Sequence, residues 1–233
     1  MVTEPTRTVE FKGKDAIQID NYTRVVAASN HDWVVPAGMD ERRWLVIDVS
    51  EHRQQDHAYF KALNDQMAGG GLSALLHQLT NLDISAFNLR ALPRTTALAE
   101  TKVHSMNPVQ RFWFDCLQRG ANHPAGDWRT EVECDKLHEL YSERAAAAGS
   151  RYRAMQTELG MAIKKLVPGV TKRRRSMGAV RQATTARPYV WVFPSLRECR
   201  SLMAEAMRCD EADLAWDDEP GSRREQKRTG SRK

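Results

Sequence analysis

The chain has 233 residues, 41% of them hydrophobic and 28% charged, with a formal net charge of +5. That length accommodates one large domain or two small ones, and the composition is that of a soluble chain. No stretch approaches the roughly 18 consecutive apolar residues a membrane span requires, and Met1-Val2-Thr3-Glu4-Pro5-Thr6 lacks the apolar core of a signal peptide.

Taken in chain order, 17–19 and 23–28 read as a strand or strand pair. Residues 44–49 (Trp-Leu-Val-Ile-Asp-Val) read as another strand, apolar enough to be buried on both faces as in a parallel sheet. The spacing of Tyr59, Phe60, Leu63 and Met67 predicts a helix over 58–67, broken by Gly69-Gly70-Gly71. Helices follow over 72–79 and 95–103, separated by an irregular stretch that begins at Asp83. Pro108 suits a helical first turn and opens a helix carrying Phe112, Trp113 and Phe114, predicted over 109–117. Residues 120–126 form a loop. A helix over 131–148 carries Leu137, Leu140 and Tyr141 and stops at Gly149. Another, over 152–167, has Met155, Leu159, Ile163 and Leu166 on one stripe. Two short strands, 170–174 and 189–193, flank a basic polar loop, and Ser195 caps a last helix over 196–207.

Charge is unevenly distributed. Lys164, Lys165, Lys172, Arg173, Arg174, Arg175, Arg181 and Arg187 fall in a stretch with no acid. The segment 209–219 is acidic, and 223–233 is basic and poor in apolar residues, so 209–233 is expected to be a disordered charged tail. Cys116, Cys134, Cys199 and Cys209 lie far apart without a CxxC pair, which points to structural thiols in a reducing cytoplasm. The seven histidines show no metal-ligand spacing, and Cys134 with His138 is a chance i,i+4 pair, so no metal site is expected. No Ser/His/Asp or Cys/His constellation stands out.

The order helix, helix, basic hairpin is that of a winged helix-turn-helix, in which the second helix enters the major groove and the hairpin touches phosphates. Upstream, an apolar run ends in Ser29-Asn30-His31-Asp32. A loop containing Pro36 follows, and Arg42-Arg43 then opens the next apolar run. Asn30, Pro36 and Arg42-Arg43, in that order, resemble the C-terminal half of a superfamily 3 helicase domain of the kind fused to phage and plasmid primases. The Tyr-Val-Trp-Val-Phe strand and Leu-Arg-Glu-Cys-Arg helix are similar to the C-terminal extension of the same proteins, and the resemblance runs from about Thr3 to Met207.

The resemblance implies an α/β fragment, the C-terminal half of an AAA+-like ATPase (1–104), then an α+β winged helix-turn-helix (105–208). Asn30 would sense the nucleotide γ-phosphate. Arg42 or Arg43 would be the finger that reaches the ATP of a neighbouring subunit, where an arginine accelerates phosphoryl transfer by roughly 10³- to 10⁵-fold. The bland alternatives are a turn residue for Asn30 and a surface ion pair with Asp40 or Glu41 for the arginines. Lys164, Lys165, Lys172, Arg173, Arg174, Arg175, Arg181 and Arg187 would contact DNA.

One departure is large. The chain contains no G-x-x-x-x-G-K-[ST], and no strand ending in two acids precedes Asn30. The phosphate- and metal-gripping half is therefore expected upstream of Met1. ATP and Mg²⁺ belong to an intact relative, and this chain alone is expected to bind neither and to hydrolyse nothing. Expected partners are DNA and an upstream ATPase or primase half, assembled as a hexamer in intact relatives, with no membrane. Residues 1 to about 100 should be poorly stable alone and 107–208 should fold independently. The alternative is a stand-alone, regulatory winged-helix DNA-binding protein, or a remnant with no present role.

Overall fold

The computed structural model describes residues 4–13, 15–31, 33, 35–88, 91–151, 153–175 and 188–217. The chain divides into two compact units, 1–36 and 37–233.

The first unit is built on a hairpin. Strand β1 (Thr6–Val9) pairs antiparallel with β2 (Ile17–Asp20), Thr6 opposite Asp20 and Val9 opposite Ile17. Asn21 closes its open end, with its backbone N–H on the Pro5 carbonyl and its side-chain amide on that of Glu4, both at 2.8 Å. The expected strand over 23–28 does not form. Val25 and Val26 are 51% and 96% exposed, and no strand pairs with them among the described residues. An apolar run becomes a buried strand only where neighbours satisfy both of its backbone edges.

The second unit begins loosely. The expected strand over 44–49 is likewise unpaired, with Ile47 and Val49 in solvent. One tether is the Thr95 hydroxyl, which donates to the Val46 carbonyl at 2.7 Å. Helix α1 (His57–Gln66) is capped by Asp56, whose carboxylate accepts the Tyr59 N–H. Gly70, at φ +102°, makes the kink that separates α1 from α2 (Leu72–Thr80); an L side chain would be strained there. Neither helix buries a residue.

Packing changes at α3 (Thr96–His104), which buries Ala97, Leu98, Ala99, Thr101 and Lys102. Helix α4 (Pro108–Arg119) starts with a reciprocal cap. Asn107 accepts the Val109 and Gln110 N–H groups while the Gln110 side chain accepts that of Asn107. Gly120 ends it in the left-handed region. Then come β3 (Glu131–Glu133), α5 (Cys134–Ala147), α6 (Gln156–Leu166), β4 (Thr171–Arg174), β5 (Tyr189–Val192) and α7 (Leu196–Met207). The three strands make one antiparallel sheet in the order β3-β5-β4. The strand β3 was not expected, because 131–133 reads as the start of the following helix.

The core gathers aromatic rings from distant elements. Trp113 stacks on Phe193 at 5.2 Å between centroids, Phe112 meets Tyr141 edge-on, and Phe114 meets Trp216. Two buried cations donate to carbonyls in the last turns of helices, where the regular i+4 donors run out. The Lys102 ammonium donates to the Met207 carbonyl at 2.7 Å, joining α3 to α7. The Arg200 guanidinium donates through Nε and Nη2 to the Leu117 carbonyl at 3.1 and 2.9 Å and lies over the Trp216 ring.

Two expectations about boundaries change. Residues 209–217 are not a disordered tail. Cys209, Leu214 and Trp216 are buried, Trp216 at 1% exposure, and the Asp217 N–H donates to the Gln118 carbonyl. The apolar residues among the acids, Leu214 and Trp216, anchor this segment; residues 218–233 lie outside the described residues. Helix α3, placed with the first half by the sequence, packs through Ala99 and Lys102 with the second.

Candidate nucleic-acid interface

The described residues of the basic stretch lie on one helix and one sheet edge. Helix α6 begins where the Met155 N–H donates to Glu158 and lays Leu159, Ile163 and Leu166 into the core. Its outer side carries Gln156, Thr157, Met161, Lys164 and Lys165, all exposed. Gly160 sets the closeness of α6 to the sheet: a Cβ there would stand 3.1 Å from the Trp191 ring. Strand β4 is fully exposed, as an edge strand can be, and the Arg175 N–H on the Pro188 carbonyl adds a rung beyond Arg174. Arg181 and Arg187, also expected to contact DNA, lie outside the described residues.

Alternation along β4 sends its cations to opposite faces. Lys172 and Arg174 share the face of Tyr189 and Trp191. The Lys172 ammonium lies 5.0 Å from the Tyr189 ring centroid and 5.7 Å from that of Trp191, and the Arg174 guanidinium lies 5.2 Å from Tyr189. Such contacts hold a cation in place without neutralising it. Arg173 and Arg175 point the other way and reach across β5 to β3, Arg173 to Glu131 and Arg175 to Glu133, the latter at 2.7 Å. Between α6 and the sheet a cleft of about 180 Å³ is lined by Gly160, Met161, Lys164, Lys172, Trp191 and their neighbours.

Of the other expected site residues, Asn30 lies in the first unit and Arg42 and Arg43 in the second. Asn30 is exposed at a bend, beside a turn in which the Ser29 hydroxyl accepts the His31 N–H; it belongs to the first unit. In the second unit, Asp40, Glu41, Arg42, Arg43 and Arg208 line a polar cleft of about 330 Å³. One oxygen of Glu41 accepts the N–H groups of both Arg42 and Arg43, at 2.8 and 2.6 Å, so the acid shapes the turn while both guanidinium groups stay exposed. Burial lowers the pKa of the nearby Lys102 ammonium, Arg208 lowers it further, and the charges of Glu41 and Asp40 oppose the fall.

Tyr189, Trp191 and Gly160 were missed as site residues. The alternation Tyr-Val-Trp-Val was the available signal, since it puts both rings on one face.

The chain has no glycine-rich phosphate loop, and among the described residues no group of three or more His, Cys, Asp or Glu converges. Burial keeps the four thiols protonated at neutral pH. Burial pushes Cys116 and Cys199 up to about 12 and Cys209 to about 11, and raises Cys134 as well. Among the described residues no helix is long and apolar enough to cross a membrane.

A family model described as a family of unknown function (DUF5906) matches residues 1–43, a range that contains Asn30, Pro36 and Arg42-Arg43. No curated protein and no solved structure matches the chain.

Proposed function

We propose that the chain is a DNA-binding protein in which 105–208 act as a winged helix-turn-helix, attached to the C-terminal half of a superfamily 3 helicase ATPase of phage or plasmid type. The observation that carries the reading is the order α4, β3, α5, α6, β4, β5 around an antiparallel sheet arranged β3-β5-β4, with exposed cations on α6 and β4. A helix that projects polar and basic side chains beside a basic hairpin suits a groove flanked by phosphates. The ATPase half rests on the order of Asn30, Pro36 and Arg42-Arg43 in the sequence, and large apolar residues that follow, such as Leu75, Leu76 and Phe87, stand exposed. In that reading Asn30 and Arg42 or Arg43 keep their sensor and finger roles only when a phosphate-gripping half is supplied. The chain alone turns over no ATP.

The stand-alone regulatory reading rests on the self-contained core of 96–217. Anisotropy of a labelled duplex titrated with purified protein at several salt concentrations tests DNA binding. Affinity falling log-linearly with salt supports it, and no binding at low salt removes it. Co-expression with an ATPase half separates the two readings, since only the helicase reading expects ATP turnover that is lost in Arg42→Ala/Arg43→Ala.

A further inference from the structure

We infer that nucleic acid docks on the α6 side of the sheet through Lys164, Lys172 and Arg174, and that Glu131 and Glu133 hold Arg173 and Arg175 out of the contact. This rests on the DNA-binding reading and divides the basic run, which as a sequence looks uniform, into two kinds of cation.

The division follows from register. Glu133 and Arg173 stand opposite Val190 on its two sides, and Glu131 and Thr171 stand opposite Val192. Glu131, Glu133 and Arg173 therefore share one face, and Arg175 continues it. That face carries two acids and two bases and sums to zero. Val132, Trp191, Tyr189, Lys172 and Arg174 share the other. Among the described residues neither Lys164, Lys172 nor Arg174 has a carboxylate within salt-bridge distance. Asp135, at the rim, is engaged by the Gln156 amide at 2.7 Å.

The two ion pairs are half exposed, so neither is strong alone. Their effect is on what a polyanion meets. A phosphate that takes Arg173 or Arg175 strips the charge partner from Glu131 or Glu133 and leaves that carboxylate beside it. A phosphate on Lys172 or Arg174 displaces no acid. It meets side chains already held over Tyr189, so less rotamer entropy is lost on binding.

The test compares three double variants with the wild-type full chain, using anisotropy of a labelled mixed-sequence duplex across a salt series. Thermal melts establish that each variant folds. Lys172→Ala/Arg174→Ala should flatten the slope of log affinity against log salt by about 2, and Arg173→Ala/Arg175→Ala should change it by less than about 0.5. Glu131→Gln/Glu133→Gln frees two arginines and should tighten binding and steepen the slope. Equal flattening by both basic variants, or unchanged or weakened binding by the glutamine variant, overturns the inference while leaving DNA binding intact. Absence of binding by the wild type removes the underlying reading itself.

Discussion

Residues 45–87 and residues 96–217 have similar shares of apolar side chains and use them in opposite ways. In α2, Leu72, Leu75, Leu76 and Leu79 repeat at i, i+3, i+4 and i+7, yet every one is at least half exposed. In α4, Phe112, Trp113, Phe114, Cys116 and Leu117 are all buried. Helical periodicity therefore prepares a face for burial but does not supply the partner. The second region supplies its own from α5, α6, α7 and β5, and it adds polar fastenings at places where an apolar contact cannot reach. Lys102 and Arg200 each place a cation on a helix-end carbonyl inside the core.

That contrast predicts where substitutions are felt. Trp113→Ala removes a fully buried ring stacked on Phe193 and should cost about 3–5 kcal/mol in urea unfolding. A loss below about 1 kcal/mol would mean that 96–217 is not the stable core. Lys102→Met keeps most of the side chain's volume but leaves the Met207 carbonyl without its donor. Its expected cost is about 1–3 kcal/mol by the same measurement.

Alkaline pH sharpens the comparison through groups that only the second region buries. Cys116, Cys199 and Cys209 hold their protons up to about 12, 12 and 11 in the folded chain, against 9.0 when unfolded. Above pH 9 the unfolded chain therefore binds fewer protons than the folded one, and stability falls as pH rises. Lys102 acts with the opposite sign. Its folded value lies below 10.5, so its contribution rises with pH between the two values. Three thiols against one ammonium predict a net fall in the urea midpoint between pH 9 and pH 11, and Cys116→Ala should make that fall shallower. A midpoint that rises over this range would show the thiols are not buried.

The smallest effect belongs to the first region. Leu75→Ser/Leu76→Ser should change the stability of the chain by no more than about 0.5 kcal/mol, because both side chains already meet water. A cost comparable to that of Trp113→Ala would show that α2 is packed.

Helices were the most readable part of the sequence. The last one is found at the residues its cap and periodicity predict, Leu196–Met207 behind Ser195. Pairing was readable only in part: the hairpin expected from 170–174 and 189–193 forms as β4 and β5, but the remaining pairings were not readable. Residues 23–28 and 44–49 carry strand-like composition and form no ladder, whereas Glu131-Val132-Glu133 looks like a helix start and becomes β3 because Val190 to Val192 lies beside it. The basic run was visible, but its partition was not. Arg173 and Arg175 find their acids 42 positions away, through a sheet order that local sequence does not encode. Lys102 sits in an ordinary polar helix whose one buried cation is explained only by the end of α7.

Hydrogen exchange of the full chain, with and without saturating duplex DNA, tests most directly which region meets nucleic acid. The account predicts slower exchange in 156–175 and 188–192 and no change in 57–80. Protection confined to 57–80, or no protection anywhere, would contradict it.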